Sequence, residues 1–174
     1  MKVQLKQVLK NAEIIFTEKN IENPRDEAFY LLNAHIPCTR GDILLGKEKE
    51  VDPEKIDDYM KDVSKRVSGV PLQYLIGKWE FYGLEFLTLP RVLIPRSDTE
   101  TLIDYALPLL KQMERPRVLD LCCGSGCIGL TLAKLIPDLD VTLFDISAAA
   151  INATRRNAKM LEVEAPACWM ESMI

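Results

Sequence analysis

The 174-residue chain is 48% hydrophobic and 28% charged, which suits one large or two small globular domains with packed cores, and nothing in the composition suggests disorder. A net charge of −4 argues against a broad nucleic-acid footprint, because phosphate binding needs Lys and Arg clustered on one face. The five cysteines are an odd set, and Cys122, Cys123 and Cys127 crowd one tight turn. They read as reduced thiols of a cytoplasmic protein, with no metal expected around the lone His35.

Residues 1–16 are amphipathic and carry Glu13, so they read as neither a signal peptide nor a membrane span. Val8, Leu9, Ala12, Ile15 and Phe16 recur at helical spacing. Asn23-Pro24 opens a second helix with Ala28, Leu31, Leu32 and His35 on one face. Asp52-Pro53 starts a third with Ile56, Tyr59, Met60, Val63 and Val67 inward, and Gly69 followed by Pro71 stops it. The spacing predicts a module of three to four helices over residues 1–77. Within it, Gly41 to Glu48 imitates a phosphate-binding loop, but no strand precedes it. Glu48 also stands where such a loop needs a metal-binding Ser or Thr.

The period changes at Trp79. Residues 79–82, Gly83 and residues 84–89 predict a β-hairpin, and Val92-Leu93-Ile94 continues the extended run, giving a linker over 78–95. The polar residues of 95–100 are expected to cap a helix over 101–113, kinked at Pro108. Strand 117–121, helix 125–136, strand 141–145, helix 148–161 capped by Ser147, and a last strand around 167–170 follow. Strands alternating with helices over 96–174 predict an α/β unit with a parallel sheet and its ligand at the carboxyl edge.

The candidate site lies at the first junction of that unit. An apolar strand carrying Asp120 runs into the glycine-broken turn Cys122-Cys123-Gly124-Ser125-Gly126, and a helix follows. Glycines let backbone approach a ligand, a helix start presents free N–H groups, and Asp145 at the next strand end suits ribose hydroxyls. Gly124, Gly126 and Gly129 also satisfy the dinucleotide fingerprint, so spacing alone leaves a nicotinamide cofactor open. Asp120 favours S-adenosylmethionine instead: a fixed carboxylate repels a pyrophosphate and attracts an ammonium and a sulfonium.

Three segments together resemble the protein-(glutamine) methyltransferases that modify peptide chain release factors. They are Gly69-Val70-Pro71-Leu72-Gln73-Tyr74-Leu75-Ile76-Gly77 with Glu80-Phe81-Tyr82-Gly83-Leu84; Val92-Leu93-Ile94-Pro95-Arg96 with Thr99-Glu100; and Val118-Leu119-Asp120-Leu121 with Gly124-Ser125-Gly126. The resemblance implies a helical-bundle domain, a hairpin linker and a Rossmann-like domain using S-adenosylmethionine. The implied acceptor is the glutamine of a Gly-Gly-Gln tripeptide in a class 1 release factor. It further implies that residues 122–126 form the cofactor turn and that Asp145 binds the ribose with Ile146 beside the adenine. Arg96 and Thr99 fall in the loop that covers the site in such proteins.

The sequence departs from that pattern in three places. Cys122-Cys123 replaces the usual Gly-Thr, which requires a negative φ at Cys122; Met173 stands where the family shows an acid beside the adenine; and Asn-Pro-Pro-Tyr is absent. The expectation is therefore an N-terminal portion of a longer protein, without an acceptor site and without catalytic residues of its own. Rival readings are a methyltransferase acting on a nucleic-acid amino group, a nicotinamide oxidoreductase, and a non-catalytic protein-binding fragment. Neither membrane association nor direct nucleic-acid binding is expected.

Overall fold

The computed structural model describes residues 2–169. The chain divides into two compact units, Met1–Ile76 and Gly77–Ile174. The first runs β1 (Lys2–Gln4), α1 (Leu5–Glu18), α2 (Pro24–His35), α3 (Arg40–Leu44), β2 (Glu48–Glu50), α4 (Pro53–Val67) and α5 (Leu72–Ile76). Local chemistry sets the helix ends. Asn23 takes a left-handed φ of 50° ahead of Pro24, Asp52 accepts the Glu54 N–H at 3.1 Å, and Gly69 closes α4 at φ 101°.

The helices meet through Leu5, Leu9, Ala12 and Phe16 of α1, Ala28, Leu31 and Leu32 of α2, and Tyr59 and Val63 of α4, all buried. Ile56, Met60 and Val67 are only half-buried, whereas the inward position of Asp62 was not legible in the pattern. Asp62 is satisfied on both sides. His35 Nε2 lies 3.0 Å from its Oδ2, and Lys65 donates to its Oδ1 at 2.7 Å. The lone histidine thus has a structural partner. The loop-like run from Gly41 to Glu48 is the body and end of α3 followed by β2, which pairs antiparallel with β1.

The second unit opens on the hairpin β3 (Lys78–Phe81) and β4 (Leu84–Leu87), joined through Tyr82 at φ 52° and Gly83 at φ 73°. Two left-handed residues form the turn that matches strand twist. Tyr82 is an unusual residue for it, and its neighbours hold it there: its N–H donates to Glu100 Oε1 at 2.9 Å and its hydroxyl to Asp104 Oδ1 at 2.7 Å. Residues 92–94 do not extend the hairpin. Arg91 at φ 66° closes a turn in which the Val92 N–H returns to the Leu89 carbonyl.

A 3₁₀ turn, Ser97–Thr99, leads into α6 (Glu100–Leu110). The expected side-chain cap is not made at the N-cap residue Thr99, and Glu100 bonds to the hairpin. Pro108 lies in the last turn of α6, which ends at Leu110 rather than 113. Then come β5 (Arg117–Leu121), α7 (Cys127–Leu135), β6 (Asp140–Asp145), α8 (Ala148–Leu161) and β7 (Ala167–Trp169), with the Ser147 hydroxyl accepting the Ala150 N–H at 3.3 Å.

The sheet order is β5-β6-β7, all parallel, with Val118 opposite Val141 and Phe144 opposite Cys168. Its core joins Phe81 and Phe86 of the hairpin to Ile103, Leu130, Val141, Leu143 and Ile151. This is a Rossmann-like α/β arrangement. Alternation along β5 runs against its polarity: Asp120 is 9% exposed while Leu119 and Leu121 are 58% and 57% exposed. The expectations for Met170 and for residues 171–173 fall outside the described residues.

Candidate cofactor site

The strand-to-helix junction is built by extending the sheet and then breaking it. The Cys123 N–H donates to the Phe144 carbonyl at 3.0 Å, prolonging the β5–β6 ladder by one bond, and the Gly126 N–H turns back to the Cys123 carbonyl at 2.7 Å. Between them Cys122, Gly124 and Gly126 stand at φ 61°, 58° and 79°. Cys122 therefore takes the left-handed conformation that the sequence reading had assigned a negative φ. Cys122 is exposed, which leaves its side chain room in that conformation. Cys122→Gly is expected to raise the midpoint of thermal unfolding by a few degrees, corresponding to about 1 kcal/mol of relieved strain.

The other two thiols fill the turn from within. Cys123 and Cys127 are buried, and burial pushes the Cys123 thiol up to about 11, so it stays protonated. The turn therefore holds no reactive thiolate of theirs.

Asp145, at the carboxyl end of β6, reaches across to the turn. Its Oδ2 accepts the Gly124 N–H at 2.9 Å and its Oδ1 the Ser147 N–H at 2.8 Å. A carboxylate offers about four acceptor positions, so two remain for ligand hydroxyls. Next to it Ile146 is 67% exposed, an apolar side chain at the sheet edge. A methyl added at Gly124 would meet nothing within 4 Å, whereas one at Gly126 would strike Thr154 Cγ2 at 2.9 Å. The space over Gly124 is open to a ligand and that under Gly126 is filled.

Asp120 is placed differently from its expected role. Its Oδ2 accepts the Gly129 N–H at 2.9 Å, so the carboxylate holds the first turn of α7 and does not project from the strand tip. Gly129 is required there: a Cβ would lie 3.0 Å from Asp120 Oδ2 and 3.0 Å from Leu143 Cδ2. Burial, and secondarily the charge of Asp145, raises the Asp120 pKa above its ordinary value. Asp145 is thus bonded to the 122–126 turn and Asp120 to the first turn of α7, close enough for the charges to interact. Arg96 is exposed and Thr99 half-buried, on the segment leading into α6.

Pattern reading missed two residues that grip the turn from behind. Thr154 and Asn157 of α8 are fully buried and bonded to the carbonyls of Gly124 and Ser125, at 3.0 and 2.9 Å. The available signal was their place on the α8 face that also carries Ala150, Ile151 and Leu161.

A glycine-broken turn at the carboxyl edge of a parallel sheet places the second unit in the Rossmann-like fold class, to which S-adenosylmethionine-dependent methyltransferases also belong. Two family models match, the PrmC N-terminal domain over residues 7–77 and the methyltransferase small domain over residues 99–173. Over most of its length the chain is similar to proteins named release factor glutamine methyltransferase. The release factor glutamine methyltransferase of Koribacter versatilis is 39% identical over 160 residues, 92% of this chain and 57% of that protein. The protein of the same name from Chlorobaculum tepidum is 36% identical over 157 residues, 87% and 53%. The chain thus spans a little over half the length of these relatives. Among solved structures, the Pyrococcus abyssi tRNA (uracil-54, C5)-methyltransferase with S-adenosyl-L-homocysteine is similar at TM-score 0.46 and 24% identity, over 54% of this chain and 23% of that one.

Proposed function

We propose that residues 117–147 hold S-adenosylmethionine for methyl transfer to the side-chain amide of a glutamine, that of the Gly-Gly-Gln tripeptide in class 1 release factors. The observation that carries the donor assignment is the Asp145 carboxylate on the Gly124 N–H, at a turn with open space over Gly124 and the Asp120 carboxylate close behind it. A diphosphate there would meet two negative charges; a ligand with an ammonium and a sulfonium neutralises them. Asp145 accepts the ribose hydroxyls, Cys122 to Gly126 line the ligand with backbone, and Ile146 supports the adenine. Asp120 acts by its charge and by fixing the start of α7. Arg96 and Thr99 cover the site from the segment before α6.

The donor supplies an electrophilic methyl group, and the protein's task is alignment. An amide nitrogen is a weak nucleophile, so holding it on the methyl–sulfur axis provides the main acceleration, about 7–11 kcal/mol for well-aligned groups. The sequence contains no Asn-Pro-Pro-Tyr to accept the amide hydrogens. We read the chain as the helical, hairpin and donor-binding part of a longer cytoplasmic enzyme whose acceptor segment lies beyond it. Its length relative to the relatives supports this, as does the exposed Leu119–Leu121 face of β5, since parallel sheets are normally covered on both sides. Residues 1–77 serve as the substrate-protein module, 78–95 as linker and 96–174 as the start of the catalytic domain. Among the described residues no helix is long and apolar enough to cross a membrane.

Calorimetric titration tests the donor site. S-adenosylmethionine is expected to bind and NADH to give no heat, and the reverse result overturns the assignment. Incubated with tritiated donor, this chain alone is expected to leave a release factor unlabelled; measurable labelling would show that acceptor positioning resides in residues 1–174.

A further inference from the structure

We infer that Asn157 and Thr154 are positioning residues for the cofactor turn, and that Asn157 couples occupancy of that turn to the last strand of the hairpin; the inference rests on the donor-site reading above. Asn157 is fully buried and uses its whole amide. Its Nδ2 donates to the Ser125 carbonyl at 2.9 Å and to the Leu87 carbonyl at 3.5 Å, and its Oδ1 accepts the Leu87 N–H at 2.8 Å. The Leu87 N–H fixes which end of the amide is oxygen.

Leu87 pairs with Lys78 at the end of the hairpin away from the turn, where its own N–H and C=O point away from β3. A single side chain on α8 thus occupies the place of a neighbouring strand and closes that edge. The same side chain holds the carbonyl in the middle of the cofactor turn.

Thr154 stands one turn earlier on the same face of α8. Its hydroxyl donates to the Gly124 carbonyl at 3.0 Å, so its proton is committed and the Cys123 thiol, 3.4 Å away, donates to Thr154 Oγ1. With the Gly124 N–H on Asp145, both sides of that peptide neighbourhood are fixed before ligand arrives. Preorganisation of this kind enters affinity as the fraction of turns already in the binding shape. Rigidifying the turn also tightens whatever else the same amide holds, and the coupling is reciprocal.

The test compares S-adenosylhomocysteine binding by calorimetry with hydrogen exchange at the Leu87 amide by NMR. In the wild type, saturating ligand is expected to slow Leu87 exchange about fivefold or more, a coupling of ordinary size. Asn157→Asp keeps an acceptor for the Leu87 N–H but loses the donor to Ser125, and ligand is expected to leave Leu87 exchange unchanged. Thr154→Val is expected to bind about tenfold more weakly while retaining ligand-induced protection at saturation; Thr154→Ser restores the affinity. A purely structural role would lower stability in all variants without separating these readouts. Ligand binding to wild type without protection of Leu87 overturns the coupling alone, and no variant is needed to see it. Absence of binding overturns the donor-site reading and the coupling with it.

Discussion

Asp145→Ala is expected to weaken S-adenosylmethionine binding about 100-fold or more while leaving a folded protein. The carboxylate currently ties two backbone N–H groups, of Gly124 and Ser147, from two different loops. Its loss removes the acceptor for ligand hydroxyls and releases the turn that the ligand must meet. Hydrogen bonds to an ionised group contribute about 1.5–3 kcal/mol each, so two of them suffice for the expected loss. Asp145→Asn separates these effects. An amide retains one acceptor oxygen but turns an NH₂ toward the second N–H, so intermediate affinity is expected. Calorimetric titration of both variants beside wild type, with thermal unfolding as the control for fold, decides it. Wild-type affinity in Asp145→Ala would remove the residue from the site.

Much of the fold was legible because period and punctuation agreed. The helices α1, α2, α4 and α8 follow 3.6-residue apolar spacing, the last three with Pro, Asp or Ser at their starts, and the Tyr82-Gly83 hairpin follows the change to period two. What escaped has no local signature. Lys2–Gln4 and Glu48–Glu50 are short polar strands whose pairing is decided only when α1 and α3 bring them together. Val92-Leu93-Ile94 has strand composition, yet Arg91 turns the chain just before it.

The candidate site divides in the same way. Spacing locates the turn, and Asp145 at the strand end needs only its place in the order β6, α8. The direction of Asp120 was not readable, because strand alternation would put Leu119 and Leu121 inward and the fold does the reverse. The left-handed Cys122 was hidden because residue identity usually signals that conformation and here does not. Thr154 and Asn157 read as ordinary polar residues of a helix. Only the backbone carbonyls they meet, about 30 residues away in sequence, give them a role.

Two alanines in one turn are expected to fail in opposite ways, and together they test the whole geometry. Gly126→Ala places a methyl 2.9 Å from Thr154 Cγ2 and 3.0 Å from Leu130 Cδ1 at a φ of 79° that L residues resist. Both neighbours are fully buried, so neither can swing into solvent. Left-handed strain adds to overpacking, and a loss of about 2–4 kcal/mol of stability is expected. Gly124→Ala has a similar backbone requirement, at φ 58°, but its methyl enters open space. Strain alone then costs about 1 kcal/mol of folding stability. That space is where the ligand would lie, so affinity for S-adenosylmethionine is expected to fall about 30-fold or more as backbone is held away from it. Chemical denaturation and calorimetric titration on the two variants give a crossed result if the turn is a ligand cradle on one side and a packing contact on the other. Equal stability loss in both, with unchanged affinity in Gly124→Ala, would mean that the glycines serve packing alone and that the ligand lies elsewhere.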